Sequence, residues 1–177
     1  QDLEIPESLP MMAVRDVVVF NDMIIPLFVG RPGSIEAVNE GLSKNKLLML
    51  VTQKDPTKDD PEEKDLYRVG MVSMIMRTLK LPDGRLKVLV QAISKARVRS
   101  FQQQKPFYRV EIDLIEEPET GEITVETEAL MRTVREQTEK IMSLRGLLSS
   151  DLMMIINNIE EPGRLADLVG SNLRLKI

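Results

Sequence analysis

Residues 78–98 read TLKLPDGRLKVLVQAISKARV. Two runs rich in β-forming residues, read as strands over residues 69–81 and 86–93, flank Pro82-Asp83-Gly84, a short glycine-containing turn. That pattern signals a β-hairpin. Alternation along the second strand puts Leu86, Val88 and Val90 on one face and Lys87, Leu89 and Gln91 on the other. Leu89 is therefore an apolar residue on an otherwise polar face. Residues 96–101 and 108–115 read as two further strands, separated by the polar turn 102–106 (QQQKP).

Upstream, residues 9–36 read LPMMAVRDVVVFNDMIIPLFVGRPGSIE. The β-branched cluster Val17-Val18-Val19 predicts a strand over residues 14–20, ended by the turn pair Asn21-Asp22. The apolar run resumes over residues 23–29 with Pro26 inside it. Proline has no ladder donor, so this strand belongs at a sheet edge or bulges there. Gly30, Pro32 and Gly33 then break the chain. Ser34 reads as a helix N-cap, with Ile35, Val38 and Leu42 at helical spacing and a stop near residues 41–44. The continuous apolar run LLMLVT (47–52) predicts a buried strand. Residues 54–65 (KDPTKDDPEEKD) hold six acids, three lysines and two prolines and read as a solvated loop. They lack the turn glycine of a calcium loop. Six or so short strands with one helix fit a compact, barrel-like sheet.

The character of the chain changes at residues 116–122 (EEPETGE), an acidic linker. Beyond it, Val125, Ala129, Met131 or Arg132, Val134, Ile141 and Leu144 give helical periodicity, stopped by Gly146. Ser149 or Ser150 caps a second helix, and Pro162 opens a third. The predicted organisation is α+β, with a β-rich lobe over residues 1–117 and a helical lobe over residues 123–177. The last residues, LRLKI, look like no helix terminus, so the sequence reads as a fragment of a longer chain.

At 177 residues and 42% apolar composition, a substantial core is available. Aromatics make up only 3%, so packing rests on aliphatic residues and eleven methionines, which suit either a core or an adaptable binding surface. No cysteine or histidine occurs. Disulfides, thiolate metal sites, cysteine nucleophiles and a Ser-His-Asp triad are thereby excluded. No apolar run approaches the roughly 18–20 residues that span a bilayer, and the acidic, proline-broken start resembles no signal peptide. The expected location is the cytoplasm.

Charge is unevenly placed: residues 67–110 carry ten Lys or Arg against Asp83, and residues 111–139 carry ten acids against Arg132 and Arg135. Such asymmetry marks an interaction face or a contact between lobes. Gly30-Arg31-Pro32-Gly33 lacks the spacing and lysine of a phosphate loop, and no G-x-S-x-G elbow exists. Composition permits a Ser–Lys pair such as Ser43 and Lys46, but both read as loop residues. The paired carboxylates Asp59-Asp60, Glu62-Glu63, Glu116-Glu117 and Glu160-Glu161 all lie in polar stretches. No catalytic, cofactor-binding or metal-binding residue is predicted.

The sequence resembles the amino-terminal domain of the ATP-dependent Lon proteases. The matching elements run in order from Leu9-Pro10 through Val14-Arg15-Asp16 and Val19-Phe20 to Pro26 and Val29-Gly30-Arg31. They continue through Asp65-Leu66-Tyr67, Val69-Gly70, Leu81-Pro82-Asp83-Gly84, Val88-Leu89-Val90 and Ala96-Arg97-Val98. The stretch Ile159-Glu160-Glu161-Pro162-Gly163-Arg164-Leu165-Ala166-Asp167 completes them. Asn21 departs from the family's common proline after the strand. The resemblance implies a partly open, PUA-like β-barrel lobe followed by a helical bundle. It implies capture of unfolded, damaged or degron-bearing proteins and assembly of a homo-hexamer. ATP, magnesium and the Ser–Lys proteolytic dyad would belong to later domains of the parent, an ATP-dependent serine endopeptidase.

On this reading the substrate-binding patch comprises Pro26 and Leu89, with Ile24, Met76 and Leu79 as further members. An exposed apolar patch has a reason to persist if it binds partners. Coverage of Leu89 by the helical lobe is the structural alternative. RNA binding through Arg77, Lys80, Arg85, Lys87, Lys95, Arg97 and Arg99 is a competing reading. The shortage of stacking aromatics and the sequence pI of about 5.1 count against it. A purely structural role in oligomerisation is the third.

Overall fold

The apolar run LLMLVT does become the most enclosed strand of the molecule, buried on both faces. The computed structural model describes residues 4–116, 121–146 and 149–173, and the chain divides after residue 116 into two compact units. The first contains β1 (Ser8–Val14), β2 (Ile24–Val29), α1 (Pro32–Ser43), β3 (Leu47–Thr52), β4 (Val69–Lys80), β5 (Leu86–Gln103) and β6 (Tyr108–Leu114). The second contains α2 (Val125–Leu144), α3 (Ser150–Asn158) and α4 (Pro162–Asn172).

The six strands form one sheet in the order β2-β5-β4-β3-β1-β6. Only β1 and β3 pair in parallel. The far half of β5 also pairs with β6, so the sheet curls upon itself, while β2 stays an edge strand paired only with β5. The architecture is α+β and curled but is not a closed barrel.

Successive residues of a strand point to opposite faces, and β3 uses this to bridge two cores. Leu47, Met49 and Val51 face one core with Leu9, Met11, Val72, Val98, Val110 and Ile112. Leu48 and Leu50 face the other with Val29, Val38 of α1, Ile75, Val88 and Val90. Each such buried side chain stabilises the fold by about 1.5–3 kcal/mol before entropy is counted.

Three local expectations are corrected. The first strand is Ser8–Val14, not residues 14–20. Val17 and Val19 still pack against the second core. The Val17 carbonyl, however, accepts from the Thr52 hydroxyl (2.7 Å) rather than from a strand partner, so β-branching here serves packing without a ladder. Residues 96–101 form no separate strand but continue β5, because nothing between Ile93 and Ala96 breaks the chain. The bend is absorbed by a register shift opposite Val72 and Ser73. The N-cap position of helix α1 is Arg31 rather than Ser34 and carries no side-chain cap, and Pro32 lies in the first turn, where proline's missing N–H costs nothing.

In the second unit, the hydroxyls of Thr124 and Ser149 accept from Thr127 N (3.2 Å) and Leu152 N (3.1 Å), capping α2 and α3. Pro162 opens α4, and Gly146 takes a φ of 65° just past α2. Met131, Ile156, Leu165 and Val169 form a small core. The half-buried Arg135 donates to Ile159 O (2.7 Å) and Ile156 O (3.3 Å), satisfying carbonyls left open where α3 ends. Residues 117–120 of the predicted linker and the terminal residues 174–177 lie outside the described residues.

Candidate functional site

The hairpin and the edge strand come together on one sheet face. Ala92 N–H donates to Met23 O (2.9 Å). Alternation along an antiparallel pair then places Ile25, Leu27 and Val29 in the bonded positions of β2. Ile24, Pro26 and Phe28 fall in the non-bonded ones. The proline nitrogen therefore faces the free edge, where it deprives no partner of a hydrogen bond. At non-bonded positions the opposed side chains are closest, and these are the pairs that point outward: Ile24 with Gln91, Pro26 with Leu89, and Phe28 with Lys87.

On the other side of β5, Arg77 opposes Leu89 and Leu79 opposes Lys87. Three rows thus cross the outer surface of β2, β5 and β4. One runs from Ile24 through Gln91 to Met74 and on to Leu47 of β3, linking the exposed surface to the first core. The second is Pro26-Leu89-Arg77, and the third Phe28-Lys87-Leu79. Met76 falls at the register shift between Ile75 and Arg77, and this bulge leaves it unpaired and outward.

All five sequence-predicted patch residues belong to this region. Ile24 (55%), Met76 (50%) and Leu79 (58%) are strongly exposed, Pro26 is exposed, and Leu89 is half-buried between its two neighbours. Sequence reasoning missed Phe28, the most exposed of them at 61%. Period-two alternation from Ile24 through Pro26 would have found it. The opposite side chains of these strands (Leu27, Val29, Ile75, Val88 and Val90) fill the second core, so the apolar surface outside is additional to what folding needs.

The face also carries charge. The Lys87 ammonium lies 5.7 Å from the centre of the Phe28 ring. Arg77 is exposed beside Leu89. At the hairpin tip, Gly84 takes a φ of 86°, and Asp83 accepts from Arg85 Nε (2.7 Å) and from its backbone N–H (3.1 Å). The Arg85 side chain holds the Asp83 carboxyl below the usual carboxylate range. Elsewhere in the basic stretch, Arg99 meets Asp113 and Glu111 of β6 and Glu7 just before β1, and Arg68 stacks over Phe101.

The loop of residues 54–65 is largely exposed, as expected, and is also tied down. Buried Gln53 donates to Asp55 O (2.6 Å) and Lys58 O (2.9 Å) and accepts from Arg31 (2.6 Å). Lys58 bonds Asp65 (2.5 Å), Arg15 bonds Asp59 (2.7 Å), and the Tyr108 hydroxyl donates to Pro61 O (2.8 Å). The carboxylates of Asp59 and Asp65 are thus structural partners. The Ser43 hydroxyl donates to Glu40 O (2.9 Å), which makes it a helix-end contact. Among the described residues no three His, Cys, Asp or Glu side chains are grouped to hold a metal, and no helix is long and apolar enough to cross a membrane.

A family model described as the ATP-dependent protease La (LON) substrate-binding domain matches residues 8–177. The chain is 51% identical over 177 residues to a Lon protease of Desulfatibacillum aliphaticivorans, and 52% identical over 177 residues to one of Trichlorobacter lovleyi. All of this chain is covered in both cases, but only 21% and 22% of those proteins, so it spans about a fifth of their length. Among solved structures, the N-terminal domain of a Mycobacterium avium complex Lon protease superposes with a TM-score of 0.75 at 19% identity. That match covers 96% of this chain and 84% of the other. A Lon N-terminal domain protein from Xanthomonas campestris gives a TM-score of 0.56 at 16% identity, covering 93% and 98%.

Proposed function

The chain belongs to the substrate-binding domain family of the ATP-dependent Lon proteases, and from that premise we propose that it captures unfolded, damaged or degron-bearing proteins on the outer face of β2, β5 and β4. The observation that carries this reading is the contiguous exposed apolar set of Ile24, Pro26, Phe28, Met76 and Leu79 around half-buried Leu89, at a sheet edge where the cores are already filled. Patches of this kind mark interaction sites. Contacts of apolar side chains with extended chain are sequence-tolerant and individually weak. Several copies in a cytoplasmic homo-hexamer would raise the effective affinity by about 10²- to 10⁴-fold. The lobe of residues 1–117 is the proposed PUA-like capture element. The lobe of residues 123–177 is proposed as the start of a helical bundle leading to ATP- and magnesium-dependent and proteolytic domains.

The test is a titration of an unlabelled unfolded protein into the isotope-labelled chain, following backbone amides. Shifts are expected to cluster on residues 24–28, 76–79 and 87–91. Leu89→Asp and Phe28→Asp are each expected to weaken binding about tenfold, the loss of one well-placed apolar contact. Shifts that avoid this face, together with unchanged affinity of both variants, refute the reading.

Assembly is favoured as a second role for the helical unit by its exposed apolar residues Leu130, Leu144, Met154 and Ile155. Degradation by the full enzyme, measured alongside its oligomeric state, separates the two roles. Substitutions on the sheet face should impair degradation with the hexamer intact, and substitutions on α2 and α3 should impair the hexamer itself.

A further inference from the structure

We infer that the captured segments are apolar stretches that carry acidic residues within or beside them, and that apolar stretches bearing lysine or arginine are discriminated against. The inference rests on the capture reading above and specifies which chains that face accepts.

Its basis is the placement of Lys87 and Arg77. Both are exposed on the outward side of the sheet. Lys87 stands in the middle of the third row, with Phe28 on one side and Leu79 on the other. Arg77 ends the second row next to Leu89. Register places the two cations diagonally on adjacent strands, about 7 Å apart at Cβ. The outward positions of the three strands, Ile24, Pro26, Phe28, Met76, Arg77, Leu79, Lys87, Leu89 and Gln91, include no carboxylate. The acids that border these strands in sequence at this end of the sheet are Asp22, in the turn before β2, and Asp83, which is engaged by Arg85 at the hairpin tip.

An apolar segment lying across Phe28, Leu89 and Leu79 must therefore cover two cations. Taking an ammonium or guanidinium out of water is costly unless an opposite charge meets it. A segment with an aspartate or glutamate at that point supplies the partner, whereas a segment with a lysine adds repulsion to desolvation. The two cations stand in different rows, Lys87 beside Phe28 and Arg77 beside Leu89, so a carboxylate at more than one position of a segment can meet one of them, which keeps the preference tolerant of exact sequence. This is selection by penalty as much as by attraction.

The experiment titrates the 177-residue chain with three extended peptides that share one apolar core and differ at two interior positions, occupied by Glu, Gln or Lys. The Glu peptide is expected to bind about threefold to tenfold tighter than the Gln peptide at low salt, as befits one or two partly screened ion pairs. The Lys peptide should be the weakest. Raising salt should compress the spread, and a Lys87→Gln/Arg77→Gln double variant should abolish it while still binding the Gln peptide. Equal affinity for all three peptides overturns the charge selection and leaves apolar capture standing. A Lys peptide that binds best overturns it as well. An order that survives in the double variant overturns the assignment to these two residues. Failure of every peptide to bind refutes the capture reading itself.

Discussion

Replacing Gly70 with alanine tests the packing that holds the hairpin against the rest of the sheet. A Cβ at this position would sit 2.0 Å from the carbonyl oxygen of Leu50 and 2.9 Å from Val51 Cγ1. A close carbon–oxygen contact is about 3.3 Å, which leaves a shortfall of about 1.3 Å against Leu50. Neither side yields cheaply. Leu50 is paired to both β1 and β4 and lies fully buried between them. Gly70 itself pairs with Ala96 of β5. Overpacking typically costs about 1–3 kcal/mol, and an obstructing backbone atom puts this case near about 3 kcal/mol. Both tyrosines, Tyr67 and Tyr108, lie in the first unit and there is no tryptophan, so tyrosine fluorescence reports that unit alone. In urea, with an m-value of about 1.5 kcal/mol/M for a unit of this size, the midpoint should fall by about 2 M. The corresponding Tm should fall by on the order of 10 °C. Gly30→Ala is the control, because its Cβ would meet only the flexible Arg85 side chain, at 3.3 Å. A Gly70→Ala midpoint within about 0.5 M of the wild type at unchanged m-value would mean that the β3 and β4 backbones do not approach as described.

Arg135→Met removes the donors to Ile156 O and Ile159 O and should cost about 1–2 kcal/mol. Faster amide exchange should concentrate near the end of α3, and uniform protection there would contradict the capping role. Pro26→Val restores a backbone donor on the free edge of β2. Concentration-dependent self-association by light scattering is the expected outcome, and a variant as monodisperse as the wild type at every concentration counts against the edge assignment. The Asp65 carboxyl is held below its ordinary range first by the Lys58 side chain and then by the Glu62 backbone N–H. A depressed folded value means that its contribution is complete above the ordinary carboxylate pKa of about 4 and is lost as pH falls through the lower folded value. Protection of residues 58–65 should therefore drop below about pH 4. Asp65→Asn should show the lower protection already at neutral pH, with a smaller acid step.

Much of the architecture was legible because local chemistry and final packing agree. Pro82-Asp83-Gly84 dictates a reversal wherever it sits, and the strand after it alternates cleanly into the second core. LLMLVT reads as buried because it is buried on both faces, and Pro162, Ser149 and Gly146 mark helix ends through backbone chemistry that needs no tertiary partner. Pro26 announces an edge strand for the same reason. Legibility failed where the outcome depended on distant partners. Val17-Val18-Val19 has strand propensity but no strand beside it, whereas Ser8–Val14 finds β3 and β6. The break expected between residues 93 and 96 is only a register shift, visible once β4 lies alongside.

The apolar patch divides in the same way. Sequence alone determined that Leu89 and Pro26 are out of pattern, since alternation and the missing proline donor are properties of a single strand. Only the tertiary structure decided that they face each other. Pairing of β2 with β5 and of β5 with β4 is non-local, and register across those pairs joins Ile24, Phe28 and Leu79 to them and sets Lys87 and Arg77 within the same surface. The physical reason is that hydrophobic periodicity assigns each residue to a face of its own strand, whereas neighbourhood on that face is fixed by hydrogen-bond register between strands far apart in the chain.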